Sequence, residues 1–172
     1  MTFAGNGAQS HFTTAHVHHV LQAAQQAAQS DHRDVVHAIR YGAAAALLQP
    51  DEESSAGALH ISQAAQRKAL EYGATQDAVT QLMSLWMNDG ISQQAPAREA
   101  PDADSTGILF LLAQVDQFGV VHAPFAMARS FLVEHGWGDL VQVVVPAAGR
   151  DDPHHLAVVP ARVLAPHVPV WK

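Results

Sequence analysis

Three histidines lie within four positions of one another in "AHVHHV", as His16, His18 and His19. Imidazole is the commonest metal ligand among side chains, so the spacing raises the question of a metal site. At about 100° per residue on a helix, Val17, Val20, Leu21, Ala24 and Ala28 form one apolar stripe. His16 and His18 then flank that stripe on opposite sides and His19 points nearly away from it. Three such ligands cannot converge on one ion. His16 and His19, three apart, can still pair, and Asp34 with His37 on the next predicted helix repeats that spacing. A carboxylate and an imidazole at i and i+3 echo the ligand pairs of di-iron helical bundles. Those bundles bury several acidic ligands, whereas the predicted core faces of these two helices carry none. His16, His19, Asp34 and His37 are therefore the metal candidates by type and spacing. The expectation is that they are solvated side chains, with no cofactor and no metal bound.

Other chemistry is constrained more firmly. The chain has no cysteine, which removes disulfides, thiolate metal sites, cysteine nucleophiles and iron–sulfur clusters together. It contains no G-x-S-x-G, phosphate loop, H-E-x-x-H or dinucleotide fingerprint. "DDPHH", residues 151–155, reads as turn chemistry leading into a strand, where adjacent histidines face opposite ways. His122, His135 and His167 have no partner assignable from spacing. Aspartate, glutamate and histidine are numerous, so an acid–base site assembled only in three dimensions stays open as one reading, that of an enzyme.

One stretch has the pattern of a motif. In "AQRKALEYGATQDAVTQLMS", residues 65–84, Ala69, Gly73, Val79 and Leu82 match the small, turn and core positions of a helix-turn-helix. Thr80 and Gln81 would then face base edges, with Arg67 and Lys68 as the nearby cations. The predicted recognition face has no Arg or Lys, and phosphate neutralisation supplies much of the affinity for DNA. The part "ALEYGATQDAVTQLM" also resembles the helix-turn segment of carboxymuconolactone decarboxylase-type proteins. Peroxidatic members of that group use a cysteine pair that this chain lacks, and the resemblance carries no site residue across.

The elements that would position these residues divide the chain in two. Residues 1–90 predict a helical segment of four helices, broken by Pro50, the loop "DEESSAG" and Gly73. Residues 91–106, "ISQQAPAREAPDADST", read as a linker. Residues 107–172 predict a small α+β domain: "ILFLLAQV", the turn "DQFG", "VVHA", a helix "PFAMARSFLVEH" opened by Pro124 and stopped by Gly136, then "LVQVVV" and "HLAVVPARVL". The expected class is thus α+β, an N-terminal four-helix segment followed by a ββαββ segment with an antiparallel sheet and one helix. On that helix Met127 and Phe131 form a second apolar stripe, and with Trp137 they are candidates for an interface.

The net charge of −7 is shared by both halves, with four basic and eight acidic residues before position 95 and five and eight after it. No basic arm is present to attract nucleic acid or anionic lipid. No apolar run approaches the ~20 residues that span a bilayer, and "MTFAGNGAQS" lacks the charge of a secretory signal. The sequence therefore predicts a cytoplasmic, non-enzymatic regulatory or adaptor protein acting through a protein partner or as a homodimer. DNA binding through residues 65–84 is the second reading and an acid–base enzyme the third.

Overall fold

A computed structural model describes residues 12–30, 39–51, 54–69, 74–88, 109–147 and 155–165. In chain order the elements are α1 (Thr14–Ser30), β1 (Tyr41–Asp51), β2 (Ser54–Ala65), β3 (Arg67–Ala69), β4 (Ala74–Gln76) and α2 (Ala78–Asn88). They continue with β5 (Leu109–Asp116), β6 (Val121–His122), α3 (Ala126–Glu134), β7 (Val141–Pro146), β8 (Leu156–Pro160) and the single turn α4 (Ala161–Leu164). Six strands form one mixed sheet in the order β2-β1-β5-β7-β8, with β6 also paired to β5; β3 and β4 form a separate ribbon. All pairings are antiparallel except β5 with β7, which is parallel. A parallel pair needs a crossover, and α3 lies in it.

Helices cover both faces. Val17, Val20, Ala23 and Ala24 of α1 pack with Ala44, Ala46, Leu111, Ala113 and Val115 on one side. On the other, Val79, Leu82, Met83 and Trp86 of α2 and Ala128 and Leu132 of α3 pack with Ala43, Ala45, Phe110, Leu112, Val141 and Val143. Successive residues of β1 and β5 therefore feed opposite layers, as the two-residue period of a strand requires.

This architecture corrects the expected one. The N-terminal region is not a four-helix segment: of its described residues only α1 and α2 are helical, and "YGAAAALLQPD" is a strand between β2 and β5. Alanine favours helices, but propensity is a small bias that tertiary burial overrides. Ala43 to Ala46 are all buried, and their small side chains let layers close on both sides of the strand. "SSAGALHISQAA" is likewise a strand, and residues 67–69 pair with 74–76 as a ribbon. The stretch read as helix-turn-helix is therefore strand–strand–helix. After residue 107 the elements follow as strand, strand, helix, strand and strand, but they share one mixed sheet with β1 and β2 and do not make an antiparallel sheet of their own. The predicted linker lies outside the described residues.

Candidate functional site

Register brings four polar side chains to one end of the sheet. Tyr41 stands opposite Asp116 and Ala43 opposite Gln114 across β1 and β5, while Gln114 stands opposite His122 across β5 and β6. Directly opposed residues share a face, so Tyr41, Gln114, Asp116 and His122 all lie on the face covered by α2 and α3. Both helices begin at this end. Gln81 of α2 donates from Nε2 to the Ala65 carbonyl at 2.8 Å, and Ala65 is paired with Gly42. Phe125, one residue before α3, meets the Tyr41 ring edge-on at 5.0 Å.

Asp116 is the fixed point. The turn that follows β5 folds back so that its Oδ1 accepts the Phe118 and Val120 N–H groups at 2.9 and 3.0 Å. Gly119 closes the turn at φ +89°, a conformation suited to glycine. Asp116 Oδ2 lies 3.0 Å from His122 Nε2. Burial raises the tendency of this carboxyl to stay protonated. The bonds from His122, Val120 and Phe118 outweigh it and hold its pKa below the ordinary aspartate value. An ionised carboxylate only accepts, so His122 donates to Asp116 from Nε2. Its Nδ1 has no protein partner among the described residues. The Tyr41 ring packs edge-on against the imidazole at 5.2 Å, and the His122 side chain remains about one-third exposed, at 32%. An aspartate that fixes the tautomer and direction of a histidine is an arrangement for proton transfer.

Gln114 lies deeper. It is fully buried, and neither carboxamide atom has a hydrogen-bond partner. Leaving such a group unsatisfied costs about 1–3 kcal/mol.

The residues singled out from sequence go elsewhere. His16 belongs to the start of α1: its N–H donates to Thr13 Oγ1 and its Nδ1 accepts from the Thr13 N–H, both at 3.3 Å. This is a capping box with histidine in the usual Glu or Gln position. His19 is exposed on the same helix, and Asp34 and His37 lie outside the described residues. Among the described residues no group of three His, Cys, Asp or Glu side chains could hold a metal ion. Arg67 and Lys68 are in β3, opposite Gln76 and Thr75. Thr80 takes its cap from Asp77, N–H to Oδ1 at 2.9 Å, and Gln81 anchors α2 as above, so both are engaged within the chain. Met127 is exposed, whereas Phe131 and Trp137 are half-buried against the core. Trp137 adjoins the Trp86 and Phe110 rings at 5.9 and 6.5 Å. His155 is buried at the start of β8, and residues 151–154 lie outside the described part. His122, without an assignable partner in the sequence, has one in Asp116. The signal was the "DQFG" turn, which aligns 115 with 121 and 114 with 122.

The mixed sheet thus lies between α1 on one face and α2 and α3 on the other, with the Asp116–His122 pair at the end where α2 and α3 begin. Solved structures it resembles include cytidine deaminases. That from Burkholderia pseudomallei gives a TM-score of 0.57 at 18% identity, covering 91% of this chain and 99% of that one. Those from Mycobacterium tuberculosis and Mycobacterium leprae give 0.53 and 0.51 at 20% and 16% identity, covering 91% and 87% of this chain and 97% of each of theirs. No protein-family model and no curated sequence matches the chain. The likeness establishes the fold. It overturns the expectation of a non-enzymatic adaptor, with its protein–protein role, because this fold is one that solved enzymes use. It likewise overturns the DNA-binding helix-turn-helix, whose first helix is absent here. No described helix is long and apolar enough to cross a membrane.

Proposed function

We propose that this protein is an enzyme of the cytidine-deaminase fold that binds a nucleobase or nucleoside at the shared end of α2 and α3, with His122 as its proton-transfer group. The observation that carries this reading is the Asp116–His122 pair, 3.0 Å apart with the imidazole still partly open to solvent. Asp116 orients the ring through Nε2, and Nδ1 takes a proton from substrate or from an attacking water. Gln114, fully enclosed in this structure, bears a donor and an acceptor side by side, the complement of a pyrimidine edge, and would meet a base only where binding displaces the side chains that cover it. Tyr41 and Phe125 add aromatic surface of the kind on which bases pack.

Calorimetric titration with cytidine, uridine, adenosine and the free bases tests binding, and turnover of whichever binds tests chemistry. The expected result is saturable binding of at least one of them, with His122→Gln retaining that binding while turnover falls by about 10²–10⁴-fold, the usual weight of a general acid–base group. Absence of binding at millimolar concentration, or full turnover in His122→Gln, overturns the reading.

A further inference from the structure

We infer that this chain works without the zinc ion on which hydrolytic nucleobase deaminases rely, because the side chains at the positions that would hold and serve that ion do not make its donor set. Zinc deaminases as a class hold the metal with one His or Cys and two further Cys, beside a Glu that shuttles protons, in the pattern H-x-E followed by P-C-x-x-C. The second half has a counterpart here at the start of α3, where Pro124 precedes Phe125, Ala126, Met127 and Ala128. The proline is in place, but a phenylalanine and an alanine occupy the two thiolate positions. Phe125 packs on the Tyr41 ring and Ala128 is fully buried in the core layer.

The other half has no copy in the chain, where no His stands two residues before a Glu; at the start of α2, the helix beside α3, the sequence reads Asp77, Ala78, Val79. Asp77 is the only possible ligand there, and both its carboxylate oxygens are engaged by Thr80, one by the backbone N–H and one by the hydroxyl. Val79, two residues on, where the proton-shuttling glutamate would stand, is fully buried with Leu82, Met83 and Trp86. An ionised carboxylate in that place would be enclosed by hydrocarbon. His122 and Asp116 do not rebuild the set: Nε2 is turned to Asp116, and no third ligand joins them among the described residues. The donor set does not fit zinc, and the absence of cysteine from the entire chain closes every thiolate variant of it.

The inference rests on the donor set and stands whether or not a nucleoside binds. Tag-free protein, expressed in zinc-supplemented medium and dialysed exhaustively, is assayed for zinc by mass spectrometry and melted with and without a chelator. The expected content is below about 0.1 zinc per chain, with a melting temperature unchanged by chelator, since a resident metal couples its binding energy to folding. Zinc held loosely by exposed histidines such as His18, His19 and His135 leaves on dialysis and gives that same result. Retention of about one zinc per chain, in the stoichiometry of a built site, overturns the inference. Failure of nucleoside titration with no retained zinc would overturn the proposed substrate and leave this inference standing.

Discussion

The two faces of the sheet are made from alternate residues of the same strands, yet they are built for different ends. Toward α1 the layer is built mainly from small apolar side chains: Ala44, Ala46, Leu111, Ala113 and Val115 meet Val17, Val20, Ala23 and Ala24. Toward α2 and α3 it is thicker and aromatic, with Trp86 over Phe110 at 4.7 Å and Trp137 beside them, and it ends in Gln114, Asp116, His122 and Tyr41. Strand β5 states the difference within eight residues, "LFLLAQVD", whose last two polar side chains both fall on the second face. One face seals the sheet against a helix, and the other carries the groups that can do chemistry.

The seal depends on backbone proximity, and Gly42 is its tightest point. A Cβ at Gly42 would lie 2.1 Å from the Ala24 carbonyl oxygen and 2.4 Å from the Ala28 nitrogen, both backbone atoms of α1. No rotamer change relieves such a clash, so α1 must move off the sheet. Gly42→Ala is expected to cost about 3 kcal/mol or more, the upper range for overpacking, read as a lowered midpoint in urea denaturation. A midpoint within error of wild type would show that α1 does not approach β1 this closely.

Legibility followed the same division between local and distant causes. The stop of α3 at Gly136 was readable because its signal is local: Gly136 takes φ +78° and the Trp137 N–H returns to the Leu132 carbonyl at 2.9 Å; its start was read at Pro124, whereas the helix begins at Ala126 with Phe125 as its N-cap. The β5–β6 turn was readable because its signal is local too. Strand β1 was not, because "GAAAALL" has helical propensity and its reason for being extended lies in β2, β5 and α1, elsewhere in the chain. Two hints were present: a glycine at its start, and a run with no polar side, which as a helix would need burial all round. Asp116 and His122 were visible as residues but not as a pair. Pairing them needs the turn's register carried through to opposed side chains, and a six-residue spacing means nothing on a helix. The histidine cluster that first attracted chemistry resolves into a helix cap at His16.

On the second face, Asp116 should weigh less than Gly42 but respond to pH. Asp116→Ala strands two backbone N–H groups and the His122 ring, a loss of about 1–3 kcal/mol near neutrality. Because the folded carboxyl titrates below its unfolded value, near ~3.9, the stabilisation is fully present above that value. It disappears as pH falls through the lower, folded pKa. Urea midpoints of wild type and Asp116→Ala should therefore differ at pH 7 and converge as the pH is taken below about 4. A difference that is constant down to pH 2.5 would mean that the carboxylate charge plays no part in holding the turn.

The smallest expected change in stability is the most informative about function. Gln114 lies one residue from Ala113 and Val115, which face α1 among hydrocarbon, but its own carboxamide is buried on the other side without a partner. Replacing it with methionine conserves volume and removes two unsatisfied polar atoms, so Gln114→Met should be neutral or stabilising by about 1 kcal/mol. A residue kept for folding would behave in the opposite way, because loss of a satisfied buried amide is costly. On the proposed reading the same variant also loses nucleoside binding, because it lacks the carboxamide donor and acceptor. Equal stability with abolished binding would set the two faces apart as scaffold and site. A loss above about 2 kcal/mol would instead place Gln114 in a satisfied structural network, and the second face would then be a seal like the first.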